Sequence, residues 1–188
     1  MPNFFTDNKD LVFQLENMDL EYIAELTEND YKDADKFDYA PKDYNEAKDN
    51  YKKVLEIVGD ISGNIIAPLA AEVDEEGAHF EDGVVTYAKG TQEALKRLSQ
   101  ADLMGFTLPR KYGGLNMPMT VYAMSIEIVS RADASLMNLY GLQDIGETIN
   151  KFGSEEQKAE LLPQFSNGNA TGAMVLTEPD AGSDLQAV

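Results

Sequence analysis

Between Asp43 and Pro68 the chain carries Val54, Ile57, Val58, Ile61 and Ile65 at three- and four-residue steps. That spacing places one apolar stripe along a helix and commits the helix to burial against other elements. Such a helix is long for a soluble domain, and it also carries Gly59, Gly63 and Pro68. Proline removes an amide donor and crowds the preceding turn, so a kink near Ala67 is expected.

Other segments repeat the helical texture. A helix is predicted from about Thr91 to Ala101, and two more from about Met119 to Arg131 and Ser135 to Lys151, the latter with loops of only a few residues, as antiparallel neighbours in a bundle require. A last helix opens at Ser154, where Ser-Glu-Glu-Gln sets Ser154 as cap and Gln157 as its reciprocal partner, and it ends by Asn167 and Gly168. The segment 105–118 holds Gly105, Pro109, Gly113, Gly114 and Pro118 and is read as a loop. Val84 to Tyr87 reads as a short strand or extended loop.

Residues 1–40 mix aromatics and aliphatics with acids and are too apolar for a disordered tail. They are read as a helical arm packed on the domain or on a partner subunit, followed by an all-α domain over 41–170. From about Thr171 the sequence ATGAMVLTEP turns small and β-prone. The expected fold class is therefore all-α, a helical bundle followed by the first strand and loop of a β domain, residues 171–188, whose remainder lies outside this chain.

Composition narrows the chemistry. The chain has 188 residues, no cysteine and a formal net charge of -19, with 14 acids against 5 bases in its first fifty residues. The absence of cysteine removes disulfides and thiolate chemistry and fits a cytoplasmic protein. The acidity opposes nucleic acid and anionic lipid surfaces. No secretory signal is read at the N-terminus, and no stretch approaches the roughly 20 apolar residues of a membrane span.

His79, the only histidine, sits in a glycine- and acid-flanked stretch and is read as a surface or loop-capping residue. Glu72, Asp74, Glu75 and Glu76 lack the spacing of a calcium loop, so no metal site is expected. Neither a Walker loop nor a Gly-x-Gly-x-x-Gly fingerprint occurs. Arg110 and Lys111 fit a solvated turn or a phosphate-receiving tip. The stretch MVLTEPDAGSD offers a Thr177 hydroxyl after an apolar run, Pro179 and Gly182 as backbone punctuation, and the Ser183 hydroxyl. Such residues suit either a pyrophosphate or ring-edge cradle built from amides, or a tight turn into a second strand.

The string FGSEEQKAELLPQFSNGNATGAMVLTEPDAGSD resembles the segment that leads from the helical to the β domain in flavin-dependent acyl-CoA dehydrogenases. IAPLAAEVDEEG, LMGFTLPRKYGG and SRADASL resemble earlier landmarks of that family, in the same order, so the resemblance covers about residues 45–188. The first forty residues resemble an extension found in a longer branch that includes enzymes of methylthio-substituted and other short acyl thioesters.

The resemblance implies three domains, with FAD between the last two. It implies that Met174, Val175, Leu176 and Thr177 address the isoalloxazine, and that Ser183 lies by the FAD pyrophosphate and the CoA part of the substrate. Asp180 stands where many members have glycine. It further implies α,β-dehydrogenation of an acyl-CoA by a carboxylate base and the flavin, reoxidation by an electron-transferring flavoprotein, and a homodimer or homotetramer. The base is expected in a C-terminal domain outside this chain, so no catalytic residue is assigned here, Glu178 being read as a structural acceptor, and the fragment alone is expected to be inactive. A related flavin oxidase or monooxygenase, or a non-enzymatic binding relative, is the alternative.

Overall fold

The computed structural model describes residues 2–184 and 186; Leu185, Ala187 and Val188, part of the expected β-domain opening, lie outside them. The order of elements is α1 (Lys9–Asn17), α2 (Glu21–Glu28), α3 (Tyr44–Ile61), a π turn (Ser62–Ile66), α4 (Ala67–Glu76), β1 (His79–Glu81), β2 (Val84–Thr86), α5 (Lys89–Gln100), α6 (Met119–Ala132), α7 (Met137–Tyr140), α8 (Ile145–Phe152) and α9 (Glu155–Ser166). Short 3-10 turns occur at Arg110–Tyr112 and Gly141–Asp144.

α3 begins where the Asp43 carboxylate accepts the Glu46 amide, a cap that supplies one of the helix's orphan donors. Its buried stripe is Ala47, Tyr51, Leu55, Val58 and Ile61, continued by Ile66. This stripe is rotated from the one expected, and Ile57 is left 45% exposed. The irregularity expected at Ala67 falls one turn earlier. There the Ala67 amide donates to the Ser62 carbonyl, five residues back, and the wider turn accommodates Pro68, which sits where α4 starts and needs no amide.

Because α3, the π turn and α4 run on continuously, Tyr44–Glu76 forms a 33-residue helix with an 18-residue window of mean hydropathy 1.4, long and apolar enough by those measures to cross a membrane. This corrects the expectation that no stretch approaches that size. Its apolarity has a local cause, since Leu55, Val58, Ile61 and Ile66 are the centre of the domain's core.

The core joins these residues to Leu98 of α5, to Val121, Tyr122, Ile128 and Val129 of α6, and to Leu136 and Tyr140. Phe5, Leu11, Leu15, Leu20 and Ala24 belong to the same cluster, so the N-terminal arm is a structural part of the bundle. Its first residues lie in a groove over Gly59 and Gly63. The Phe4 amide donates to the Gly59 carbonyl at 3.0 Å, and Nδ2 of Asn3 donates to the Glu56 carbonyl at 2.9 Å.

The helix expected over Ser135–Lys151 is broken into α7, a 3-10 turn and α8. The buried Tyr122 hydroxyl donates toward the carbonyls of Tyr140 and Gly141, at 2.7 and 3.0 Å, and so draws off acceptors that an unbroken helix would use. Burial pushes the Tyr122 and Tyr140 hydroxyls far above the ordinary phenol range, so both remain neutral hydrogen-bonding groups. α9 starts with the expected capping box, Ser154 and Gln157 each bonding the other's backbone amide. His79 lies in β1 and is exposed, rather than in a loop, since Val84–Thr86 pairs antiparallel with His79–Glu81 around an Asp82–Gly83 turn with positive φ at both residues.

Candidate cofactor-facing segment

The chain leaves the helical bundle through a fixed point. Nε2 of Gln143, a buried side chain, donates to the Ala170 carbonyl at 3.3 Å, and its Oε1 accepts the Gly172 amide at 3.1 Å. Gly172 lies so close to α8 that a Cβ there would overlap the Leu142 carbonyl and stand 2.9 Å from Ile145 Cβ. Only glycine fits that approach.

Beyond Gly172 the strand expected from Thr171 has no ladder. A strand is defined by its partner, and residues 173–177 find none among the described residues. Met174, Val175 and Leu176 are 54, 87 and 49% exposed. Their amides and carbonyls, like the exposed Thr177 hydroxyl, make no hydrogen bond among the described residues.

The chain then closes a turn. The Glu178 amide donates to the Ala181 carbonyl at 2.9 Å and the Ala181 amide to the Glu178 carbonyl at 3.2 Å, with Ala181 buried. The turn brings Gly182 beside Thr177, since a Cβ on Gly182 would lie 3.9 Å from Thr177 Cγ2. Thr177 and Ser183 thus flank one tight turn, both exposed. Asp180 has no positive φ, so aspartate occupies its place without backbone strain.

Arg110 is neither a solvated tip nor a phosphate receiver. Its Nη1 and Nη2 donate to Oε2 and Oε1 of Glu28 at 2.6 and 2.8 Å, and both side chains are 2% exposed. Its guanidinium also stands 5.7 Å from the Tyr39 ring centroid. Lys111 is exposed, its Nζ 4.6 Å from the Tyr112 ring centroid. With the partners 82 positions apart, no local pattern announces the pair.

A cavity of about 470 Å³ lies elsewhere, between the end of α4, Tyr87 to Thr91 and the Asp133–Leu139 stretch, and shares no lining residue with the exit segment. Among the described residues no group of three or more His, Cys, Asp or Glu side chains is placed to hold a metal ion.

The family description "Acyl-CoA dehydrogenase, N-terminal domain" matches residues 48–169. The chain belongs to the acyl-CoA dehydrogenase family. It is 37% identical over 142 residues to 3-methylmercaptopropionyl-CoA dehydrogenase of Ruegeria pomeroyi, an alignment covering 74% of this chain and 24% of that enzyme. Among solved structures it is similar to an acyl-CoA dehydrogenase complexed with FAD from Bacillus anthracis, with 27% identity, a TM-score of 0.62, and coverage of 74% of this chain and 23% of that one. It is also similar to butyryl-CoA dehydrogenase from Megasphaera elsdenii, with 25% identity, a TM-score of 0.58, and coverage of 72% and 34%. The chain therefore spans about a quarter to a third of the length of the acyl-CoA dehydrogenases it matches.

Proposed function

We propose that this chain supplies the helical domain and one wall of the flavin site of an acyl-CoA dehydrogenase acting on a short or substituted acyl thioester. The observation that carries the reading is the run Ala173–Thr177, where backbone donors and acceptors lie open to solvent directly after a rigid anchor at Gln143 and Gly172. In an extended chain successive amides and carbonyls alternate in direction, and one edge of such a run can match the donor and acceptor pattern of a flavin ring edge. The Thr177 hydroxyl extends this row, and Ser183, across the turn, is suited to a phosphate or the CoA portion of a substrate.

When bound, FAD supplies the hydride-accepting chemistry. The residues of this chain bind and orient: Met174 to Thr177 hold the ring, Gln143 and Gly172 hold Met174 to Thr177, and exposed apolar side chains on the run exclude water once a second wall closes over them. No carboxylate of this chain is assigned as the base, which the family resemblance puts in a C-terminal domain, and Glu178 shapes the turn through its backbone. The base, the rest of the β domain opening at 171–188, reoxidation by an electron-transferring flavoprotein, a homodimeric or homotetrameric state and a cytoplasmic location complete the proposal. The substrate class is supported by the likeness to the Ruegeria pomeroyi enzyme.

The test uses the full-length protein. It is expected to purify with FAD, and the flavin is expected to bleach on adding short-chain or methylthio-substituted acyl-CoA under nitrogen. Thr177→Ala and Ser183→Ala should each weaken FAD retention or slow that bleaching. Unchanged flavin content and reduction rates in both variants would refute the site. Rapid reoxidation of the reduced flavin by dioxygen, with no need for an electron-transferring flavoprotein, would move the enzyme to the oxidase or monooxygenase class.

A further inference from the structure

We propose that the buried Glu28–Arg110 pair is a positioning element for the Ala173–Thr177 run, so that the N-terminal arm supports the cofactor site from behind. The inference rests on the reading of that run as cofactor-facing.

The arm grips the loop 105–117 at three points. Glu28 takes Arg110 through two hydrogen bonds, the Thr27 carbonyl accepts Nδ2 of Asn116 at 3.0 Å, and the Tyr39 hydroxyl donates to the Gly114 carbonyl at 3.2 Å. The loop is in turn folded on itself. The amides of Leu115, Asn116 and Met117 donate to the carbonyls of Gly105, Leu108 and Phe106, each at 3.0 Å. A loop closed this way moves as one body.

That body touches α8 through Leu108. Its side chain forms one buried cluster with Leu162 and Phe165, against which Ile145 and Ala170 pack, and it comes so near Gly146 that a Cβ there would lie 3.0 Å from Leu108 Cδ2. Gly172 is pressed against Ile145 as well, since a Cβ there would stand 2.9 and 3.0 Å from Ile145 Cβ and Cγ1. Toward Met119, Glu147 and Lys151 the loop and α8 are separated by a cavity of about 240 Å³. Displacement of the loop therefore reaches the exit segment through Leu108, then Ile145 and Gly146, then Gly172. Interiors transmit such shifts because close-packed side chains have little room to absorb them.

A bidentate ion pair suits this task. It fixes direction as well as distance, and removing one partner leaves an uncompensated buried charge that must move toward water. An apolar pair of similar volume would hold the loop equally well without that sensitivity.

The test compares full-length wild type with Arg110→Met, Glu28→Gln and the double variant Glu28→Leu/Arg110→Met, using hydrogen exchange resolved to single amides and FAD dissociation followed by absorbance. The single variants are expected to speed exchange over 105–117 and also at the Gly172 amide, and to weaken FAD binding, each by about 2- to 30-fold, the range of couplings carried through packed side chains. Exchange in β1 and β2 should stay at the wild-type rate. The apolar double variant should return both readouts toward wild type. Acceleration confined to the arm and loop, with the Gly172 amide unchanged, would overturn the proposal, as would equal acceleration everywhere. A wild-type protein that binds no FAD would refute the proposed function, and the Gly172 amide would still decide whether the pair positions the exit segment.

Discussion

Gly59→Ala is expected to change sign with the presence of the first five residues. Alanine is a better helix former than glycine, by about 1 kcal/mol in a helix interior. In the intact chain that gain meets an obstacle, because a Cβ at Gly59 would overlap Asn3 Oδ1 and stand 2.6 Å from the Phe5 amide nitrogen and 2.9 Å from Phe5 Cβ. Residues 2–5 form a strap across Gly59, and a strap that shifts but stays seated loses about 1–3 kcal/mol to overpacking. A strap that lifts also exposes Phe5, which is 1% exposed and whose loss belongs to the class of about 3–5 kcal/mol. The bond from the Phe4 amide to the Gly59 carbonyl goes with it, at about 1 kcal/mol. Subtracting the helix gain, the intact chain should lose up to about 2 kcal/mol if residues 2–5 stay seated and about 3–5 kcal/mol if they lift. In a chain lacking residues 2–5, the three atoms nearest to that Cβ, all from Asn3 and Phe5, are gone, and the same substitution should stabilise by up to about 1 kcal/mol. Urea denaturation of the four proteins, with equal m values as the check on two-state behaviour, measures both numbers. Destabilisation of similar size in both backgrounds would refute the claim that Gly59 is glycine for the sake of the strap.

Further outcomes follow from single sites. Gly172→Ala should displace the exit segment from α8 and lower FAD retention in the full-length protein with little change in the urea midpoint, because a Cβ there has no room beside Leu142 and Ile145. Ser154→Ala removes the hydroxyl that accepts the Gln157 amide and should cost about 1 kcal/mol by denaturation. Burial holds the Glu147 carboxyl above its ordinary 4.5, against the opposing pull of Asn150 and Lys151, so the folded state keeps its proton to higher pH than the unfolded state does. That contribution is complete below the unfolded value and is lost as pH rises through the folded one. Stability should accordingly fall as pH rises from about 4.5, and Glu147→Gln should flatten that fall; an identical pH profile in the variant would remove Glu147 as its source.

What could be read in advance depended on whether the deciding physics was local. The α9 start was legible because a capping box is written in four consecutive residues and closes on itself. The apolar period between residues 43 and 68 predicted a helix but misplaced its buried face, since a π turn and two glycines serve contacts with residues 2–5, more than fifty positions away. The break at Gly141 was invisible for the same reason: its cause is a hydroxyl on Tyr122, delivered by another helix. The MVLTEPDAGSD run was singled out from its punctuators and hydroxyls, but the grip of Gln143 on Gly172 gave no sequence signal, because a lone glutamine in a helical stretch looks like surface.

Arg110 carries that contrast to its end. Read beside its neighbours, an arginine between a proline and a lysine belongs to a wet turn, and the charge of -19 makes every base look like one of many surface partners. Burial reverses the inference. A guanidinium at 2% exposure persists only if a carboxylate is brought to it, and Glu28 is brought by a helix of the arm. The family match begins at residue 48, so Arg110 lies within the matched domain and Glu28 outside it. A bidentate pair has one register, and an Arg110 left without its carboxylate is an uncompensated buried charge. The arm is thus held in a single position on the loop that backs α8, and replacing the arm by that of another family member should preserve the exit segment only where a carboxylate arrives at the place of Glu28.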